Sequence, residues 1–215
     1  MALSIDLYFS FRSPYSYLLT PQLDAARKRY DFDIALKVVR PIAVRIPGFF
    51  KQVNPLWPPY LARDTWRIAE RLGIPYRWPR PDPIIMDVAA GEVAAEQPYI
   101  MGVSRLGAYA QSQGRGFDFA LAAARAIWSG TVENWHEGDH LAQAARAAGL
   151  DPAADAAIAA DTAGWDAAIV QNEQDQTAAG HWGVPLMVFN SEPFFGQDRL
   201  DDIVWRMRQF GLAQR

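Results

Sequence analysis

One uninterrupted passage, Leu7-Tyr8-Phe9-Ser10-Phe11-Arg12-Ser13-Pro14-Tyr15-Ser16-Tyr17-Leu18, limits what this chain can fold into more than any other. Ile5, Leu7 and Phe9 alternate with Asp6, Tyr8 and Ser10, the period of a strand. Ser13-Pro14 then reads as a capping hydroxyl followed by proline at the first helical position. Tyr17, Leu18, Pro21, Ala25 and Lys28 recur at helical spacing as far as Tyr30. The first turn of a helix carries free N–H groups and a partial positive charge. A hydroxyl at that point can cap the helix and can also serve a bound anion. Ser13 and Ser16 have the spacing of a redox Cys-x-x-Cys pair at a thioredoxin-type strand–helix turn, with serine at both positions.

The rest of the opening supports a β-α-β unit. Asp33 to Arg40 alternates like a second strand and Pro41 closes it. A helical crossover of this length implies parallel pairing with the first strand. Residues 41–59 read as a proline-rich loop containing Phe49, Phe50, Asn54 and Trp57. Aromatic residues in so long a loop argue for function rather than disorder. A helix is expected from about Tyr60 to Gly73, followed by a second proline-rich passage to Pro83.

From about Asp87 to Ala179 the chain is alanine-rich and reads as helical, cut into short pieces at Gly102, Gly114, Gly116, Gly130, Gly149 and Gly164. Asp151-Pro152 and Asp161 mark helix starts. Strand chemistry returns at Pro185 to Phe189, turns at Asn190-Ser191-Glu192 and pairs with Pro193-Phe194-Phe195. Asp198 to Phe210 closes the chain as a helix. The predicted class is therefore α/β, a thioredoxin-like fold with a large all-helical insertion. The thioredoxin-like domain takes 1-45 and 180-215, and 46-179 is the insertion with its connecting loops.

Composition excludes several classes of function. Twenty-one basic and 24 acidic residues leave a net charge of −3, with no electrostatic footprint for nucleic acid. No apolar run has the length of a membrane span, and Met1-Ala2-Leu3-Ser4 does not read as a signal peptide, so a cytoplasmic protein is expected. The 215 residues contain no cysteine, and disulfide exchange has nothing to carry it. Eight tryptophans and 15 prolines suit rigid, aromatic-lined surfaces for a small flat ligand.

Three motifs resemble one family. Phe11-Arg12-Ser13-Pro14-Tyr15-Ser16-Tyr17-Leu18, Trp182-Gly183-Val184-Pro185 and Phe195-Gly196-Gln197-Asp198-Arg199-Leu200 are together similar to 2-hydroxychromene-2-carboxylate isomerase. Its relatives are the kappa-class glutathione transferases, in the DsbA-like branch of the thioredoxin superfamily. The resemblance implies glutathione as cofactor, its sulfur hydrogen-bonded by Ser13 and its backbone docked on Val184 beside Pro185. Gln197, Asp198 and Arg199 would hold the γ-glutamyl end, and Asn54 would contact the cofactor from the loop before the helices. The family's lysine after that asparagine is replaced here by Trp57-Pro58-Pro59-Tyr60, and Lys51 or Arg63 is the substitute at hand. A homodimer is also implied.

Elementary energetics support these roles. Lowering a thiol pKa from ~8.5 to ~6.5 takes about 2.7 kcal/mol of preference for the thiolate. A helix N-terminus supplies roughly 0.3–1 kcal/mol, at most ~2. A hydrogen bond to a charged group supplies about 1.5–3 kcal/mol. Hydroxyl and helix terminus together suffice, without base or metal. Val184-Pro185 reads either as the cis bond that leaves a backbone N–H and C=O free for an extended peptide or as an ordinary proline starting an edge strand. Asp198 reads either as a plain N-cap or as the partner of an ammonium group.

His136-Glu137-Gly138-Asp139-His140 matches the helical His-Glu-x-x-His zinc motif. Gly138-Asp139 weakens the helix that such a site needs, and the segment reads instead as a helix start at Asn134. No metal is assigned. His181, beside Trp182, reads as a packing or loop histidine.

The expectation is a glutathione-dependent isomerase acting on an unsaturated hydroxy-keto acid derived from an arene. Phe49, Phe50 and Trp57 would line the substrate site, with Arg12, Arg40 or Arg45 for its carboxylate. A glutathione transferase acting on electrophiles needs the same thiolate and is the enzymatic alternative. A non-catalytic thioredoxin-fold binding protein is the third.

Overall fold

The computed structural model describes residues 3–151 and 153–215, so Met1, Ala2 and Pro152, with the leader and helix-start readings that involve them, lie outside the described residues. Strand β1 (Leu3–Phe9) leads into α1 (Pro14–Arg29) and β2 (Phe32–Val38). Two short helices follow, α2 (Ile42–Arg45) and α3 (Phe49–Gln52), then α4 (Trp57–Leu72). A small hairpin, β3 (Met86–Asp87) and β4 (Glu92–Val93), precedes five helices. These are α5 (Pro98–Ser112), α6 (Gly116–Trp128), α7 (His140–Ala147), α8 (Ala154–Ala160) and α9 (Thr162–Ala178). The chain ends with β5 (Leu186–Phe189), β6 (Glu192–Phe195), a 3₁₀ turn (Gln197–Arg199) and α10 (Leu200–Arg208).

The four long strands make one sheet in the order β2-β1-β5-β6. β1 and β2 run parallel, and β5 is antiparallel to both β1 and β6. This is the thioredoxin-like core expected from the sequence, with the helices between β2 and β5 inserted into it. Because β1 is central, its two faces are both covered. Ile5, Leu7 and Phe9 join the main core, whereas Tyr8 packs with Val39 and Leu186 on the opposite face.

The insertion is anchored where β1 becomes α1. Phe11 stacks edge-on against Phe9 and Phe119, and the indole of buried Trp128 donates to the Phe11 carbonyl at 2.8 Å. Tyr17 and Tyr76 lie parallel to Trp128. Gly107 of α5 has no space for a side chain, since a Cβ there would come 2.8 Å from Val38 and 3.0 Å from Phe11. The close approach lets α5 cover the edge strand β2, where Gln111 Oε1 accepts the Leu36 N–H at 2.8 Å. Asn172 of α9 donates to the Val38 carbonyl on the same edge.

Four local expectations are corrected. Residues 41–59 are not one loop: they hold α2 and α3, and α4 starts at Trp57 rather than Tyr60, with prolines in its first turn. The stretch after Asp87 is not helical until Pro98, because Met86 pairs with Val93 across a turn at Gly91 (φ +66°). Gly102 and Gly164 lie inside helices and do not break them, while Gly114, Gly130 and Gly149 adopt the left-handed conformation and do. The helix expected from Asn134 begins at His140, since Asn134 itself turns at φ +48°. No helix among the described residues is long and apolar enough to cross a membrane.

Candidate functional site

The junction of β1 and α1 meets the loop before β5. Ser13 is the N-cap of α1, extended at φ −89° and ψ 116°, with Pro14 following at the first helical position. Its Oγ accepts the Ser16 N–H at 3.2 Å and donates toward the Val184 carbonyl at 3.4 Å. The second contact is long against a hydroxyl–carbonyl optimum of about 2.7–2.8 Å, so the hydroxyl proton is weakly held and open to a better acceptor. Ser16 contributes its N–H only; its buried Oγ, like that of Ser10, has no protein partner among the described residues.

Val184-Pro185 is a cis peptide. The Val184 side chain rests on the small cluster of Tyr8, Val39 and Leu186, and its N–H bonds to nothing among the described residues. The Gly196 N–H donates to the Pro185 carbonyl at 3.0 Å, which brings the 3₁₀ turn directly against the same loop. Gln197 is buried there and accepts from Gln22 Nε2 of α1 at 3.2 Å. Ser13, Val184, Pro185 and Gln197 are thus joined by a short chain of contacts.

The remaining predicted residues stand differently. Asp198 is exposed and makes no capping bond; it pairs with Arg199 at 3.2 Å, and Arg199 also reaches Asp202 at 3.1 Å. The N-cap reading of Asp198 is therefore corrected, because the helix starts as a 3₁₀ turn after Gly196 and the carboxylate faces outward. Asn54 is exposed and spends its Oδ1 on the Leu56 N–H at 3.0 Å, within its own turn before α4. None of its hydrogen bonds reaches the Ser13 loop.

The three arginines assigned to a substrate carboxylate are all engaged within the protein. Arg12 forks onto Asp82 at 2.7 and 2.9 Å. Arg40 forks onto Glu173 at 2.8 and 2.7 Å. Arg45 bonds Gln176 and the Trp182 carbonyl, each at 3.0 Å. Burial holds the Arg45 guanidinium below the ordinary arginine value, with Glu173 drawing it back up. Lys51 is paired with Glu92 at 2.8 Å. Arg63 has no ion pair among the described residues and lines an open cleft of about 430 Å³ with Trp66, Tyr76, Arg77 and Trp78.

Aromatic residues do gather beside the Arg12 side chain. Phe49 packs edge-on against Phe50 and Trp57, and Phe50 lies under the Arg12 guanidinium at 5.5 Å. Tyr15 donates to Asp64 Oδ2 at 2.8 Å, and burial together with that bond pushes its phenol well above the usual tyrosine value. Tyr15 therefore stays neutral and offers no competing base beside Ser13.

The histidines fall outside any metal-type arrangement. His136 lies on a turn against Tyr99 and Trp135, whereas His140 opens α7, so the two do not share a helical face. His181 accepts the Gly183 N–H on Nδ1 at 2.9 Å and stacks between Trp182 and Phe195. It is a loop histidine, as the sequence suggested. The sequence did not flag Gln176, Gln22 or Asp82, each of which has a partner distant along the chain: Arg45, Gln197 and Arg12 respectively.

The comparisons with known proteins agree with the fold. A family model described as a DSBA-like thioredoxin domain matches residues 4–208. A 2-hydroxychromene-2-carboxylate isomerase structure is similar over 97% of this chain and 96% of its own, at 21% identity and TM-score 0.63. A probable DsbA oxidoreductase from Streptomyces coelicolor is similar over 96% of this chain and 89% of its own, at 15% identity and TM-score 0.65. The cytosolic disulfide reductase DsbM from Pseudomonas aeruginosa, in a structure with GSH, is similar over 97% and 99%, at 17% identity and TM-score 0.61. At these identities the likeness is one of fold. A search of curated proteins found no match.

Proposed function

The chain belongs to the DsbA-like thioredoxin family, and from that premise we propose that it is a glutathione-dependent isomerase of the 2-hydroxychromene-2-carboxylate type. The observation that carries the proposal is the Ser13 hydroxyl, which caps α1 and faces the Val184 backbone where a family member working by disulfide exchange needs cysteine.

The residues present fit glutathione. The unpaired Val184 N–H and its weakly bonded carbonyl suit a one-residue strand pairing with a peptide backbone. Ser13 would donate to the cofactor sulfur, and the first turn of α1 would favour its charge. Gln197, Asp198 and Arg199 would take the γ-glutamyl end, the Asp198 carboxylate meeting the ammonium group. Asn54 would contact the cofactor from the turn before α4, and Arg63, which has no ion pair among the described residues, would stand in for the family's lysine at the glycyl end. Bound glutathione supplies a nucleophilic sulfur for reversible addition to a conjugated double bond.

Around that sulfur the chain's own groups hold and orient. Tyr15, locked on Asp64, takes no proton from Ser13. The cluster of Phe49, Phe50 and Trp57 offers flat apolar walls for a planar acid. Arg12 and Arg40 are forked onto carboxylates and Arg45 is bonded to Gln176 and the Trp182 carbonyl, so a substrate acid group would be received by these arginines only if they left those partners. A cytoplasmic homodimer completes the proposal.

The test is an absorbance assay with 2-hydroxychromene-2-carboxylate and its ring-opened isomer. The reading predicts interconversion that requires glutathione, leaves glutathione unconsumed and is lost in Ser13→Ala. Accumulation of a stable glutathione adduct would replace the isomerase with a transferase. Turnover without glutathione would refute both.

A further inference from the structure

Gln176 is a completely buried polar side chain near the end of α9, and both ends of its amide are bonded. Nε2 donates to the Gly183 carbonyl at 2.7 Å, and Oε1 accepts from Arg45 Nη1 at 3.0 Å. Arg45, the last residue of α2, uses Nη2 on the Trp182 carbonyl at 3.0 Å. Two consecutive carbonyls just before Val184 are therefore held by side chains from two different helices. The segment precedes β5, so no ladder hydrogen bonds fix it. Gly183 is also closely seated: a Cβ there would come within 3.0 Å of the His181 ring and nearer still to Phe195.

We propose that Gln176 and Arg45 are positioning residues that fix the Trp182–Gly183 backbone and so present the free Val184 N–H and its carbonyl to the cofactor. The proposal rests on the reading of Val184 as the docking point and extends it to two side chains that touch no cofactor atom. Buried amides persist where every group finds a partner. Here the partners are the backbone that must be held still, and the helical insertion becomes a brace for the thioredoxin-like site.

Two variants test this. Gln176→Glu keeps the acceptor for Arg45 but replaces the donor to Gly183 with a carboxylate oxygen. Arg45→Lys keeps the charge but loses the fork that spans Gln176 and Trp182. Hydrogen exchange of residues 181–184 is measured without glutathione, beside glutathione titrations of the same proteins. The expected result is exchange several-fold faster in that segment and unchanged in β1. Glutathione dissociation constants rise roughly three- to tenfold. The pH midpoint of the bound thiolate stays put, because Ser13 and α1 are untouched. Unchanged exchange across residues 181–184 in a folded variant would overturn the proposal. Should Gln176→Glu not fold, Arg45→Lys decides it by the same exchange readout. Failure of the wild type to bind glutathione would refute the functional reading, while the exchange arm still judges the brace.

Discussion

The Oγ of Ser13 lies 3.4 Å from the carbonyl oxygen of Val184, although 171 positions separate the two residues in sequence. The fold achieves this by placing β1 and β5 side by side, so that the end of one strand meets the start of the other. A hydroxyl at a helix N-terminus then faces backbone groups that no strand has claimed. A hydroxyl and a helix terminus together cover the preference that a thiolate needs, and neither alone covers it comfortably.

Ser13→Cys should give a thiol that titrates below the ordinary value of about 8.5, because the first turn of α1 favours the thiolate. The rate of alkylation by iodoacetamide against pH measures this directly. A midpoint at or above the ordinary value would show that the site does not stabilise an anion on that atom.

Asp198→Asn should leave stability within about 0.5 kcal/mol of wild type, since Asp198 is exposed and makes no capping bond. Glutathione should bind roughly tenfold or more weakly, reflecting a lost charge-assisted bond to the γ-glutamyl ammonium. Calorimetric titration beside urea unfolding separates the two effects.

Trp128→Phe should destabilise the protein by roughly 2–4 kcal/mol, combining a cavity with an orphaned Phe11 carbonyl. Equilibrium urea unfolding gives the value. The loss originates two residues before Ser13, so it tests whether the insertion anchors the junction.

Alkaline pH should weaken the fold through Tyr15. Its folded pKa is raised by burial and by Asp64, so the stabilisation is complete below the unfolded value of about 10. It is then lost as pH climbs toward the folded value. The melting temperature should fall above pH about 10, and Tyr15→Phe should flatten that decline while lowering stability at neutral pH.

The parts of this architecture that the sequence makes legible are those with local causes. Alternation in β1, the Ser13-Pro14 start and the turn at Asn190-Ser191 each act within a few residues, and all appear where expected. The alanine-rich middle is harder, because Ala favours helix wherever it stands and hides the hairpin from Met86 to Val93. Gly102 and Gly164 show the converse: a glycine inside a packed helix looks, in sequence, like a stop. Side-chain pairing was the least legible. Arg12 is 70 positions from Asp82 and Arg45 is 137 from Trp182, so no local pattern announces that these cations are already used. The cis bond at Val184-Pro185 was one of two readings that the local sequence left open, and its approach to Ser13 depends on the pairing of β1 with β5.

The most direct test of the central claim is ultraviolet absorbance at the thiolate band during a glutathione titration, with wild type beside Ser13→Ala. The account predicts a saturable thiolate signal at neutral pH in the wild type and its loss in the variant, which still binds the tripeptide through Val184 and the turn at Gln197. An equal signal in both proteins, or no binding at millimolar glutathione, would contradict it.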